Sequence, residues 1–337
     1  MKAVVQDNYG SPDDVLELRE IDKPVAEDDE VLVRVHAASV HPDVWHVVRG
    51  LPYVLRLMGA GLLGPKNSVP GTDVAGHVES VGENVTRFQP GDEVFGECIR
   101  GYQWHNGGAF AEYVPVPEDV LARKPDNITF EQAAAVPTSG SIVLQNLPNK
   151  GRLQPGLSVL VNGAGGGVGA FAMQVAKAYG ARVTGVDDTE KLDMVRSLGA
   201  DRAIDYTEED FTQSGCRYDL IFDIPGNHPF SDCRRVLAPN GKYVLIGHDR
   251  FGKGAGRWFG SIPRVLKLVA LSPFISQLPT PNFSMPDKKN QMVFLNDLLK
   301  SGKLTPNIDR TFPLSEVPEA IRYLEEGHAQ GKVVITV

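Results

Sequence analysis

From the first residue to about residue 125 the apolar positions fall in short runs: Val31-Leu32-Val33-Arg34-Val35, Val74-Ala75-Gly76-His77-Val78 and Ala111-Glu112-Tyr113-Val114. Such β-rich runs, cut off by turn residues, predict strands, and their succession predicts an all-β, barrel-like region. Past Asn127 the pattern changes. Thr129 followed by Gln132 has the spacing of a capping box and predicts a helix start. Strands are then expected at 158–161, 182–186, 220–223 and 243–246, and helices at 168–179 and 190–198. Strands alternating with helices imply βαβ units around a parallel sheet. Beyond Gly302 the chain turns strand-like again at 310–312 and 332–337, around a helical stretch at 317–325. The α/β part, 126–302, is therefore expected as an insertion in a first domain built from 1–125 and 303–337.

The run Val159-Leu160-Val161-Asn162-Gly163-Ala164-Gly165-Gly166-Gly167-Val168-Gly169 joins one of those strands to the following helix. Against the pattern G-x-G-x-x-G it has Ala164 in place of the first glycine, then Gly166 and Gly169. Alanine makes that turn if its φ stays negative. Gly166 lets backbone approach a pyrophosphate, and Gly169 lets the helix pack closely on the strand. The amides of the helix start, within Gly163, Ala164, Gly165, Gly166, Gly167 and Val168, then face the anion. Asp187 ends the next strand about 18 residues beyond Gly169, the spacing of an acid that accepts from the ribose hydroxyls of a dinucleotide. Asp188 and Glu190 would repel a 2′-phosphate, so NADH is expected over NADPH, unless Lys191 and Arg182 reverse the preference. Two solvated turn acids are the alternative reading.

Ligands of such sheets sit outside the carboxyl ends of the strands, so Gly226, Ile246 and Gly247 are expected to border the nicotinamide. Tyr206 is a candidate for flanking the adenine, and Lys332 for closing over the ligand from the returning tail. Each is equally compatible with a purely structural place.

Composition narrows the function classes. Lys and Arg number 34 against 42 Asp and Glu, a net charge of −8, which argues against a general nucleic-acid binder. Three cysteines, Cys98, Cys216 and Cys233, without a CxxC pair, fit free thiols in a reducing compartment. With only one Lys in Met1–Gly10 and no long apolar stretch behind it, neither a signal nor a transit peptide is expected, and a cytoplasmic location is. The apolar stretch Trp258–Ile275 is broken by Pro263, Arg264, Lys267 and Pro273, so it is not a membrane span. It is either an amphipathic surface or dimer-covering segment, or plain intramolecular packing.

The glycine loop, together with Pro70-Gly71-Thr72-Asp73-Val74-Ala75-Gly76, Gly91-Asp92-Glu93-Val94-Phe95-Gly96, Gly108-Ala109-Phe110-Ala111-Glu112-Tyr113, Ala134-Ala135-Val136-Pro137-Thr138 and Leu198-Gly199-Ala200-Asp201, resembles the medium-chain dehydrogenase/reductase superfamily. The likeness is to its zinc-independent quinone oxidoreductase branch and spans essentially the whole chain. It implies an α/β protein with a GroES-like β-barrel domain and a Rossmann domain with a doubly wound parallel sheet, NAD(P)H as cofactor, and commonly a homodimer. Where zinc-using relatives place cysteine, histidine and cysteine, this chain has His41, Thr72 and about Ala135, so no zinc is expected. His41, Asp43 and His46 are an alternative metal set, against which Pro42 is expected to disrupt a regular helical face and no thiolate helps. The family's Asn-Pro-x-Asp segment corresponds to His41-Pro42-Asp43-Val44-Trp45-His46, a departure that leaves the proton donor open. His46 and Tyr53 are candidates for that role, His41 for holding the nicotinamide ribose or a substrate oxygen. Thr138 occupies a place that in the family reaches the cofactor.

Without a metal, reducing a simple ketone lacks a partner for the oxygen charge. A conjugated acceptor spreads that charge to a distant oxygen that hydrogen bonds can serve. The expected activity is therefore hydride transfer to a small quinone or α,β-unsaturated carbonyl compound. A zinc-free carbonyl or alcohol oxidoreductase, or a nucleotide-binding redox sensor without turnover, are the alternatives.

Overall fold

The computed structural model describes residues 1–100, 105–148, 151–247, 256–281 and 287–337. The chain divides into two compact units, Met1–Thr138 with Pro286–Val337, and Ser139–Met285. These limits differ from the expected 125 and 303. Past 125, the helix Phe130–Ala134 packs on strands of the first unit, as does the helix Lys288–Lys300 that precedes 303. The span 126–302 expected from sequence places both stretches in the α/β part; their packing partners assign them to the first unit.

In the first unit, β1 (Lys2–Gln6) pairs antiparallel with β2 (Leu16–Glu20). The main sheet is built on β3 (Glu30–Val40), with β4 (Asp73–Val81), β5 (Glu93–Glu97), β6 (Tyr113–Pro117) and β7 (Leu121–Arg123). It also takes in the tail strands β13 (Ile308–Pro313) and β14 (Lys332–Thr336), giving the order β13-β14-β3-β4-β5-β7 with β6 also on β3. One edge of β3 is shared: Glu30 to Arg34 pair with β6, while Ala37 to Val40 pair with β14. Register shifts between Leu32 and Val33 and between Val35 and Ala37, opposite β4, mark where the long strand bends. The tail thus returns to the first unit as expected, setting Val334 opposite Ser39.

In the second unit, β8 (Ser158–Asn162), β9 (Arg182–Asp187), β10 (Arg202–Asp205), β11 (Tyr218–Asp223) and β12 (Leu237–Leu245) are all parallel, in the order β10-β9-β8-β11-β12. Val159, Leu160 and Val161 are fully buried, the unbroken apolar run that a sheet covered on both faces requires. Helices Gly167–Ala178, Leu192–Ser197 and Phe230–Arg235 supply crossovers. The strand order reverses between β8 and β11, and their carboxyl ends are where such a sheet opens for a ligand.

Candidate functional site

The glycine loop caps the carboxyl end of β8. Gly163 takes a φ of 82°, and the amides of Gly163 and Ala164 both donate to the Val186 carbonyl of β9 (2.9 and 3.0 Å). Ala164 keeps out of the left-handed region, as the sequence required. Its methyl group has room because β9 carries Gly185, where an added Cβ would lie 3.0 Å from the Ala164 Cβ. Two glycines that look alike in sequence differ in cause. A Cβ on Gly169 would collide with the Gly163 carbonyl oxygen, whereas one on Gly166 would find its nearest neighbour 3.7 Å away. Nothing in the protein requires glycine at 166. The open space over it, at the first turn of Gly167–Ala178, is the cradle that a pyrophosphate would fill.

Asp187 stands beside this loop, but its carboxylate is engaged with the loop itself. Oδ2 accepts from the Gly165 amide (2.6 Å) and Oδ1 from the Asp188 amide (3.0 Å). Burial holds its carboxyl above the usual carboxylate range, against the pull of Lys191. Lys191 Nζ lies 3.7 Å from Asp187 and 3.2 Å from Asp188. The Tyr206 amide donates to the Asp187 carbonyl (3.1 Å), while its ring is 49% exposed. On the other side of the switch point, the Gly247 amide donates to Ile224 O and the Ile246 amide to Asp223 O (3.0 and 2.9 Å). Gly226 adjoins Gly247, an added Cβ lying 3.3 Å from its carbonyl oxygen. The structure therefore gathers Gly163 to Val168, Asp187, Tyr206, Gly226, Ile246 and Gly247 around the carboxyl ends of this one sheet.

The first unit holds the remaining candidates. His41 is buried, its Nε2 2.7 Å from Thr72 Oγ1 and its Nδ1 3.4 Å from Asp43 Oδ2. Pro42 does not disrupt the helix here; it is the first residue of Pro42–Arg49, a position that needs no backbone N–H. His46, on that helix, donates from Nδ1 to Leu51 O (2.7 Å), which when neutral leaves Nε2 as an acceptor. Tyr53 follows two residues past that carbonyl, with the Arg56 guanidinium 4.8 Å from its ring centre. Thr138 gives both its amide and its hydroxyl to Asp73 Oδ1 (3.1 and 2.6 Å), while Ser39 Oγ donates to Asp73 Oδ2 (2.8 Å). Lys332 Nζ, fully enclosed, stands 3.8 Å from the same carboxylate. Burial lowers its pKa, opposed by Asp73 and Asp43.

Two family models match the chain, an alcohol dehydrogenase GroES-like domain over residues 27–126 and a zinc-binding dehydrogenase over residues 198–335. An NADPH-dependent alkenal/one oxidoreductase of the chloroplast of Arabidopsis thaliana is 36% identical, over 99% of this chain and 79% of the relative. The chain belongs to the quinone oxidoreductase branch of the medium-chain dehydrogenase/reductase superfamily. Its fold is shared by the quinone oxidoreductase of Coxiella burnetii, with a TM-score of 0.81 and 28% identity over 100% of this chain and 99% of that one. A crystal structure of an NAD-dependent alcohol dehydrogenase is 31% identical with a TM-score of 0.82, each chain fully covered.

Within this family the departures matter. Among the described residues no group of three or more His, Cys, Asp or Glu is arranged to hold a metal ion. In the set His41, Asp43 and His46, His41 Nδ1 faces the Asp43 carboxylate, while the Nδ1–H of His46 is given to the Leu51 carbonyl. Several residues escaped the sequence reading. Asp223 is wholly buried and takes bonds from Asn162 Nδ2 (2.8 Å), the Gly226 amide (3.0 Å) and Tyr243 Oη (2.6 Å), tying the ends of β8, β11 and β12. Arg264 donates to the carbonyls of Gly226 and His228. An acid ending an apolar strand was the legible signal for Asp223; nothing local announced Arg264. Leu57, Leu62 and Leu63, at 75, 63 and 89% exposure, form an apolar stretch just beyond Tyr53.

Proposed function

We propose that this protein transfers a hydride from NAD(P)H, NADH being preferred, to a quinone or an α,β-unsaturated carbonyl compound, without zinc. The observation that carries the reading is the open space over Gly166 at the carboxyl ends of a doubly wound sheet, in a chain of the quinone oxidoreductase family. The alkenal/one activity of the Arabidopsis relative points to a conjugated acceptor. So does the donor set: Thr72 and Ala135, where zinc-using relatives place ligands, offer no imidazole or thiolate.

When bound, the cofactor supplies the hydride, and the chain's own groups do the rest. Gly163 to Val168 hold the pyrophosphate; Gly226, Ile246 and Gly247 line the nicotinamide. Asp187 orders the loop through Gly165 and, beside Tyr206, meets the adenosine end. Its carboxylate and that of Asp188 disfavour a 2′-phosphate, while Lys191 is already drawn to both. Thr138 and Lys332 support the cofactor through the Asp73 cluster. Hydride arriving at carbon leaves negative charge on the acceptor oxygen, to be met by a donor from His41, His46 or Tyr53. His46 can donate from Nε2 only as imidazolium, because Nδ1 is spent on Leu51 O. Neutral donors among the three are the Tyr53 phenol and the one N–H of His41, on Nε2 or Nδ1 according to its tautomer. The exposed leucines beyond Tyr53 suit an apolar acceptor. Free cysteines suit a cytoplasmic setting, and the family resemblance a homodimer.

Steady-state oxidation of NADH and NADPH with a panel of quinones and enones tests the reading. Turnover is expected with conjugated acceptors in metal-free buffer, with the higher kcat/KM for NADH, and Tyr53→Phe should lower kcat with the KM for NADH unchanged. The 31% identity to an NAD-dependent alcohol dehydrogenase keeps one rival reading in view, which alcohol-dependent NAD reduction would establish. Tight cofactor binding without any turnover would instead leave a redox sensor, and a stoichiometric need for zinc would sink the metal-free chemistry.

A further inference from the structure

Arg56 is built into the turn that carries Tyr53. Helix Pro42–Arg49 ends at Gly50, whose φ of 59° turns the chain out of the helix. From there four successive carbonyls are each taken by a donor. Arg56 Nε donates to Gly50 O (2.9 Å), His46 Nδ1 to Leu51 O (2.7 Å), the Leu55 amide to Pro52 O (3.0 Å) and the Arg56 amide to Tyr53 O (3.1 Å). Arg56 thus closes the turn at both ends. Its guanidinium carbon also lies over two phenol rings, 4.3 Å from the centre of Tyr9 and 4.8 Å from that of Tyr53. Tyr9 is itself tied down, its hydroxyl donating to Gly61 O (2.7 Å). Room for this cluster comes from Gly50, where a Cβ would lie 2.5 Å from the Tyr9 ring and 2.8 Å from Arg56 Nε. Among the described residues no carboxylate comes within 4.0 Å of Arg56. A guanidinium so placed directs its charge at the aromatic faces instead of at an ion pair.

We propose that Arg56 is the positioning residue of Tyr53, fixing the phenol for proton donation through the Gly50 carbonyl and the ring face. The inference rests on Tyr53 being the proton donor of the proposed reduction. In that step the hydride from the nicotinamide makes a C–H bond at the β-carbon of the acceptor, and the electron pair of the C=C bond moves to the carbonyl oxygen as an enolate. The Tyr53 O–H bond breaks, its proton goes to the enolate, and solvent water reprotonates the phenolate. Two properties of Arg56 serve this transfer. Its bonds across the turn limit the directions in which the ring can point, so less freedom is lost in reaching the reactive geometry. Its charge over the ring favours the phenolate oxygen as negative charge forms there. Neither acts on cofactor binding, so loss of Arg56 should lower kcat and leave the KM for NADH as it is.

A double-mutant cycle tests the proposal. Steady-state oxidation of NADH by methyl vinyl ketone and by menadione is measured for the full-length parent, Arg56→Gln, Tyr53→Phe and the double variant, each checked for folding by circular dichroism and thermal melting. Arg56→Gln is expected to lower kcat about tenfold with the KM for NADH unchanged, and to cost no more than about twofold further in the Tyr53→Phe background. A residue that merely stabilised the fold would cost the same factor in both backgrounds, and that additivity would overturn the proposal. So would an unchanged kcat in Arg56→Gln, or a rise in the KM for NADH that accounts for its lost activity. Should Arg56→Gln melt well below the parent, Arg56→Lys, which keeps the charge but not the planar fork of donors, takes its place under the same criteria, with about a threefold fall expected. Failure of the underlying reading looks different. Tyr53→Phe would then keep the parent's kcat, or the parent would turn over neither acceptor, and the assignment of Arg56 falls with it.

Discussion

At the scale of single residues the same letter serves different physical ends. Gly169 is glycine because the strand end lies against it; Gly166 is glycine although the protein leaves it room. Gly169→Ala should therefore lower the melting temperature by several degrees. Gly166→Ala should leave melting unchanged and raise the KM for NADH roughly tenfold, the equivalent of about 1.4 kcal/mol; paired thermal and kinetic measurements separate the two. A second residue-scale prediction concerns pH. His36 Nε2 lies 2.8 Å from His77 Nδ1, and the His36 ring stacks on Phe130 with centres 4.6 Å apart. Burial, then the neighbouring His77 and Arg34, push the His36 pKa below its ordinary 6.5. The unfolded chain thus takes up this proton first, so stability is lost as pH falls through 6.5 toward the lower folded value. Melting curves at intervals from neutral pH downward should show that loss, and His36→Gln should flatten it. That the glycines and Asp187 lie side by side at the strand ends was readable, because spacing along one strand and turn sets their placement. The loop-ordering bonds of Asp187 to Gly165 and Asp188 were not, because spacing does not say which way a carboxylate turns.

Elements were legible where their signals are local. The helix after Thr129 begins as its sequence implies: Thr129 Oγ1 accepts from the Gln132 amide (3.2 Å) and Gln132 Oε1 from the Thr129 amide (3.0 Å). Thr129→Ala should cost about 1 kcal/mol, measurable as a shift in the denaturant midpoint with an unchanged slope. Strand and helix limits moved by a few residues, as for β12, which begins at Leu237 rather than 243. The early residues of β12 alternate polar and apolar only weakly, and pairing with β11 decides their extent. Pro42 shows the same limit in reverse: read as a disruption, it is a first-turn residue once His41 is seen to precede a helix. The Asp223 network joins three strand ends through Asn162, Gly226 and Tyr243. Its members are spread over a long span of sequence, so only sheet order brings them together.

For the molecule as a whole, a cofactor that binds only the folded chain must stabilise it by mass action. Saturation with NADH at about 100 times its Kd should add roughly 2.7 kcal/mol, a rise of several degrees in a thermal scan, and Gly166→Ala should need proportionately more NADH for the same rise. No rise with either nicotinamide carrier would contradict the cofactor site. The class of the α/β part, its glycine loop and the return of the tail as strands followed from sequence alone. Each rests on periodicity or on contacts between residues close in the chain, which local physics dictates. Three things were decided only in three dimensions: the assignment of helices Phe130–Ala134 and Lys288–Lys300 to the sheet unit, the convergence of Ser39, Thr138 and Lys332 on Asp73, and the outward turn of Trp258 and Phe274. Which distant partner buries a side chain depends on the packing of the whole fold, and no window of sequence contains that information.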